Sequence, residues 1–226
     1  MDSAVVLAEA AAAGFEPCAL SVRYGQRHAI ELEAARKVVA AQGVREHRVV
    51  DIDLAALGGS ALTAAIDVPK GRAAEEIGSG VPVTYVPARN TVFLSVALGW
   101  AEALGSFDLF VGVNRLDYSG YPDCRPEFLR AFEDLASVAT AVGAQRRFTV
   151  HAPLLDLDKR GIVLRARELD VDLGLTHTCY DPVEGPDGVV SCGRCDACFL
   201  RLKGFAEAGL TDPLPYAAAP DPLPGP

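Results

Sequence analysis

Cys179, Cys192, Cys195 and Cys198 form the pattern C-x12-C-x2-C-x2-C. Interlocked C-x2-C pairs bring neighbouring thiolates to one tetrahedral ion at about 2.3 Å, and the residue across the loop supplies the fourth bond. The intervening Asp181 to Ser191 is rich in Gly, Pro and Asp, so it can turn without a core of its own. Zinc is the expected metal, with an iron–sulfur cluster or disulfides as the alternatives. Four thiolates leave no open coordination position, so the ion would be structural and would fasten a C-terminal helix around Phe199–Leu202.

A second group lies in Asn114 to Arg125, where Asp117, Tyr118, Tyr121, Asp123 and Arg125 crowd one loop after an apolar strand. Carboxylates there can accept from a guanine-like N–H edge, and Arg125 can face a carboxylate or phosphate. A solvated loop held by its own turns is the plainer reading. Lys159, preceded by Asp158 at a helix start, can neutralise phosphate charge during adenylyl transfer, although such pairs usually sit on surfaces. Arg89-Asn90 heads a buried helix, as a nucleotide contact or as a cap. Cys124 lacks an obvious activating partner and reads as a small buried hydrophobe, as does Cys18. His28 beside Arg27 is a candidate lining residue; His47, His151 and His177 read as structural.

These groups need a frame. Asp2-Ser3 predicts a helix beginning at its own cap and stopping at Gly14. Cys18–Val22 and His47–Ile52 read as strands around a helix over Ala29–Gln42, ended by Gly43. Ala55–Pro82 has weak periodicity and reads as a loop or lid. A buried helix over Asn90–Leu104 leads to the continuously apolar Phe107–Val113, as expected of a central parallel strand. Pro126–Val142 with Gly143 behind it predicts a helix, Phe148–Leu154 a strand and Gly161–Leu169 a helix. The alternation predicts an α/β fold with a parallel sheet covered by helices on both faces. Ligands then bind beyond the carboxyl ends of the strands, which brings Tyr24–His28, Asn114–Arg125 and Pro153–Lys159 to one rim. Residues 1–175 form this domain, 176–210 a small metal-binding module, and 211–226 a loose Pro- and Ala-rich tail.

The 226 residues carry a formal net charge of −9. Such a chain lacks the cationic footprint of a phosphate-backbone binder, yet a helix N-terminus and one or two cations suffice for a nucleotide. No apolar run reaches the roughly 18 residues of a membrane span. No basic leader follows Met1, so a cytoplasmic protein is expected. Oligomeric state is not legible, and a homodimer is compatible with the sequence.

Taken together, Tyr24-Gly25-Gln26-Arg27-His28, Ser119-Gly120-Tyr121-Pro122-Asp123-Cys124-Arg125, Thr178-Cys179-Tyr180 and Cys192-Gly193-x-Cys195-x-x-Cys198 resemble the 7-cyano-7-deazaguanine synthase family of N-type ATP pyrophosphatases. The resemblance covers residues 1 to 206. It implies an adenine nucleotide α-hydrolase-like fold and ATP-dependent conversion of 7-carboxy-7-deazaguanine and ammonia to the nitrile, in queuosine biosynthesis. It implies ATP with Mg2+ at Met1, Asp2, Ser3, Ala4, Val5, Leu20, Arg89, Asn90 and Gly112. The deazapurine would lie on Tyr24, Gln26, Arg27, Asp117, Tyr118, Ser119, Gly120, Tyr121, Asp123 and Arg125. Lys159, Asp2 and Ser3 would be catalytic, and Zn2+ would sit on the four cysteines.

Two departures stand out. The family's phosphate loop reads Ser-Gly-Gly-x-Asp-Ser after a first strand, whereas here Met1-Asp2-Ser3 matches only its x-Asp-Ser end. The expectation is a native start upstream, and a chain as written that is poorly stable or inactive, with neighbouring strands facing an unpaired gap at about 1 to 3 kcal/mol per orphaned amide. Ala88 stands where the family more often has Gly. The alternatives are a catalytically impaired, zinc-held nucleotide-binding module, or another N-type ATP pyrophosphatase acting on tRNA.

Overall fold

Met1 caps the first helix, α1 (Asp2–Ala12), without a side-chain capping bond. The expected Asp2-Ser3 cap is therefore corrected: Asp2 is already in the first turn, and its carboxylate is engaged elsewhere. The helix ends where Gly14 adopts φ +87° and the Phe15 N–H reaches back to the Ala10 carbonyl, a left-handed stop that favours glycine. The computed structural model describes residues 1–26, 30–72, 77, 80–114, 120–185 and 188–217. Arg27, Asp117, Tyr118 and Ser119, together with His28, lie outside the described residues.

Strand β1 (Ala19–Arg23), helix α2 (Ile30–Ala41) and strand β2 (His47–Asp51) follow, and β1 pairs parallel with β2 from Ala19↔His47 to Arg23↔Asp51. Cys18 precedes β1 and is exposed, so the core position expected for it is wrong; the ladder starts one residue later. A second unit repeats the pattern: α3 (Arg89–Leu104), β3 (Asp108–Phe110), α4 (Pro126–Ala139) and β4 (Thr149–His151), with β3 parallel to β4. Helix α5 (Lys159–Glu168), the antiparallel pair β5 (Val183–Gly185) and β6 (Gly188–Val190), and α6 (Asp196–Glu207) complete the elements.

Among the described residues the two parallel pairs are not hydrogen-bonded to each other. A cavity of about 740 Å³ lies between them, lined by Ala19 to Val22 on one side and Asp108 to Gly112 on the other.

Burial of apolar faces fixes the helices, each large side chain contributing roughly 1.5–3 kcal/mol. Leu98, Leu109, Phe132 and Phe148 join α3, α4, β3 and β4. Val5, Ile162, Val163 and Phe205 join α1, α5 and α6. A third cluster packs Ala61 and Val68 of the long loop against the cysteines. Residues 212–217, expected to begin a loose tail, are fastened: Asp212 and Arg201 form an ion pair at 2.7 Å, 2% and 1% exposed, and Tyr216 donates to Asp212.

Candidate active site and metal centre

The four sulfurs lie within 4.8 Å of one another, all buried. Cys179 and Cys195 are 3.9 Å apart, and Cys192 and Cys198 4.0 Å. A tetrahedron with bonds of about 2.3 Å has edges of about 3.8 Å, so the set fits one tetrahedral ion. The backbone is arranged for thiolates: the N–H groups of Asp181 and Cys192 point at Cys179 Sγ, those of Arg194 and Cys195 at Cys192 Sγ, and that of Tyr180 at Cys195 Sγ. Gly193 at φ +77° lets the knuckle close. Cys195 is the N-cap of α6, so the cluster sits at the head of that helix.

Helices α1 and α5 bring two charges together. Asp158 caps α5 by accepting from the Gly161 N–H at 2.8 Å, which sets Lys159 in the first turn. Lys159 Nζ lies 2.5 Å from Asp2 Oδ2, and Asn114 Nδ2 approaches the same oxygen at 3.3 Å. Burial by itself would raise the Asp2 carboxyl, but Lys159 holds it below its ordinary value. Gly112 passes so close to α1 that a Cβ on it would stand 3.2 Å from the Ser3 nitrogen. Ser3 is exposed and faces the cavity, Ala4 and Val5 are buried behind it, and Leu20 approaches from β1.

The other side of the rim is aromatic. Tyr24 is buried among Leu54, Leu62 and Val86, with its ring 5.5 Å from Phe93. The Arg89 guanidinium lies over the Tyr24 ring, 5.9 Å from its centroid. Gln26 folds back to accept the Tyr24 N–H at 2.7 Å. Burial raises the Glu31 carboxyl, which Arg89 partly offsets.

The loop residues divide. Tyr121 packs its ring 5.8 Å from Tyr85. Gly120 lies against Pro82, its would-be Cβ 3.8 Å from the ring. Asp123 is buried and accepts the Asn90 N–H, while Cys124, also buried, receives Asn90 Nδ2 at 3.0 Å. Arg125 is exposed at the N-cap of α4.

The structure thus joins Asp2 to Lys159, Gly112 to Ser3, Arg89 to Tyr24, and Asn90 to Asp123. Sequence reasoning missed Asn114, which is fully buried beside Asp2, and Glu31 and Arg201. An Asn directly beyond an apolar central strand was the available signal for the first. Tyr24, Gln26, Glu31, Asn90, Gly112 and Ser3 all reach the cavity from its upper rim. Its volume falls in the range of small-molecule sites. No described helix is long and apolar enough to cross a membrane.

A family model described as queuosine biosynthesis protein QueC matches residues 1–209. The 7-cyano-7-deazaguanine synthase of Syntrophotalea carbinolica is 62% identical over 219 residues, 96% of this chain and 93% of that protein. That of Paramagnetospirillum magneticum is 59% identical, covering 96% and 95%. That of Myxococcus xanthus is 60% identical, covering 96% and 93%. With a match over nearly the whole chain and relatives at this identity, the chain belongs to the QueC family.

Proposed function

We propose that this chain is a 7-cyano-7-deazaguanine synthase, an ATP-dependent ligase that turns 7-carboxy-7-deazaguanine and ammonia into the nitrile. The single observation that carries the reading is one rim with two chemically distinct halves. A cation–carboxylate pair, Lys159 and Asp2, stands beside the glycine-backed start of α1. The buried Tyr24 ring with the half-buried Arg89 guanidinium over it forms the other half. The first suits phosphates, because a helix N-terminus and a lysine favour negative charge. The second suits a flat heteroaromatic base.

The substrate carboxylate attacks the α-phosphorus of ATP, giving an acyl adenylate and pyrophosphate. Ammonia displaces AMP to give the amide. The amide oxygen then attacks the α-phosphorus of a second ATP and releases pyrophosphate, and loss of AMP with both protons of the amide nitrogen leaves the nitrile. Lys159, Nζ turned inward, stabilises charge accumulating on the phosphoryl oxygens, and Asp2 with Ser3 positions that group; Mg2+ would accompany the ATP. Asp123 acts by anchoring its loop, and Tyr121 with Arg125 stands on the same side. Zinc on the four thiolates supplies a closed structural tie. The net charge of −9 favours small-molecule substrates over nucleic acid.

The test is pyrophosphate release with 7-carboxy-7-deazaguanine, ATP and ammonia, with the product identified by mass. The reading requires release that depends on the deazapurine and ends in nitrile. Release that ignores the deazapurine, or depends instead on tRNA, sinks it.

A further inference from the structure

We infer that Gly204 is a positioning residue for Lys159, the one place where α6 is notched so that the lysine's turn can lie against it. This rests on the reading that Lys159 acts at the phosphates. Gly204 is buried in the interior of α6, where glycine costs about 0.5–1 kcal/mol relative to alanine. The reason for its presence lies across the helix interface. A Cβ built on Gly204 would stand 2.7 Å from Lys159 Cβ, 2.8 Å from its carbonyl carbon and 2.9 Å from its carbonyl oxygen. Two of these three neighbours are backbone.

Neither side of the contact can give way easily. Cys195, Cys198, Arg201 and Gly204 follow at intervals of three, a stripe of successive neighbours that winds by about 60° per step around α6. The first two are buried in the sulfur cluster at the helix head. Arg201 is 1% exposed and donates to both Asp212 oxygens, to Thr176 Oγ1 at 2.6 Å and to the Leu173 carbonyl at 3.0 Å. The helix is therefore held against rotation and sliding. On the facing side Asp158 caps the turn of Lys159, and Arg160 Nε donates to the Glu207 carbonyl at 3.1 Å. A methyl at position 204 must displace the Lys159 backbone by a few tenths of an ångström or more, which disturbs the placement of Nζ against Asp2.

The experiment is a double-mutant cycle on the full chain, with Gly204→Ala, Lys159→Met and both together. It reads kcat, KM for ATP and Tm. Gly204→Ala should lower kcat by about 10- to 100-fold, the size of a sub-ångström to ångström misplacement, with KM for ATP changed by less than about twofold. In the Lys159→Met background the same change should alter kcat by less than about twofold, since there is no ammonium left to misplace. A merely structural Gly204 would lower Tm and affect both backgrounds equally, which overturns the inference. A Gly204→Ala enzyme with normal kcat beside an impaired Lys159→Met enzyme overturns it too, while leaving the role of Lys159 intact. Normal kcat in Lys159→Met removes the role of the lysine itself, and the inference with it. If Gly204→Ala does not fold, Arg160→Met loosens the same helix contact from the exposed side. It should then cost kcat a few-fold (roughly 2- to 5-fold) with KM unchanged, and an unchanged kcat overturns the inference.

Discussion

Asn90 and Asp123 hold each other twice: the Asn90 N–H donates to Asp123 Oδ2 at 2.9 Å, and Asn90 Nδ2 donates to the Asp123 carbonyl at 3.1 Å. The carboxylate thereby satisfies an orphan amide in the first turn of α3 from 33 residues away, doing for that helix what its own N-cap, Ala88, cannot. Asp123→Ala should destabilise the protein by about 1–3 kcal/mol and raise KM for the deazapurine, because the loop loses its anchor. Asp123→Asn, which keeps an acceptor, should stay close to wild type. Denaturant midpoints and steady-state kinetics of the two variants decide it; equal loss in both would mean that the charge and not the anchor matters.

Lys159→Met should be destabilising in a pH-dependent way. The Asp2 carboxyl is held below its ordinary value in the folded protein. Its pairing therefore contributes fully above the unfolded pKa of about 3.9 and is lost as pH falls through the folded one. The variant should be weaker than wild type by about 2 kcal/mol at pH 7, less than a fully buried pair would cost because Asp2 retains 22% exposure. The difference should shrink towards pH 3. Thermal melts across that range test it, and a gap that persists at pH 3 would point to lost packing instead.

Metal removal should be felt in the loop that leans on the cysteines. Lys70 pairs with Asp181 at 2.6 Å, Arg72 Nε donates to Asp196 Oδ1 at 3.1 Å, and Gly71 donates to the Arg194 carbonyl. Chelation, or Cys195→Ser, should lower Tm and speed tryptic cleavage after Lys70 and Arg72 by about tenfold or more, as a structural metal's binding energy is also folding energy. Unchanged cleavage would show that the loop stands without the cluster.

Ala88 adopts φ +54° and ψ +24°, the left-handed region that costs an L-residue about 1–2 kcal/mol. Ala88→Gly should relieve part of this and raise stability by about 0.5–1 kcal/mol, read from the denaturant midpoint at unchanged slope. A loss of stability would mean that the Ala88 methyl makes a contact worth more than the strain.

Helices α2 and α3 were legible to within a residue, because their apolar positions recur at helical spacing and Gly43 marks a stop, whereas α4 ends at Ala139, short of the expected Val142, and α5 starts at Lys159, ahead of the expected Gly161. Strand ends were not. Phe107–Val113 reads as one apolar run, but its ladder with β4 spans only Asp108–Phe110, since apolar character reports burial and not pairing. Cys179, Cys192, Cys195 and Cys198 carry their geometry in their spacing. Arg201 does not: an arginine in an amphipathic helix resembles a surface residue, and only its three-residue step from Cys198 betrays the buried face. Its partner Asp212 was hidden in a Pro-rich stretch for the same reason, as composition says nothing of one buried ion pair. The join of Asp2 to Lys159, 157 residues apart, needs the fold.

The separation of the two strand pairs sets a timetable for backbone protons. The Ala19 N–H and Arg23 carbonyl bond towards β2, and the Phe107 carbonyl and Val111 N–H towards β4. By the alternation of a strand, the amides of Leu20, Val22, Asp108 and Phe110 therefore turn the other way, into the 740 Å³ between the pairs. In heavy water those four should take up deuterium well before Ser21 and Leu109, their immediate neighbours. Along each of these two strands, protected and open positions would then alternate residue by residue, even though they are immediate neighbours in the chain.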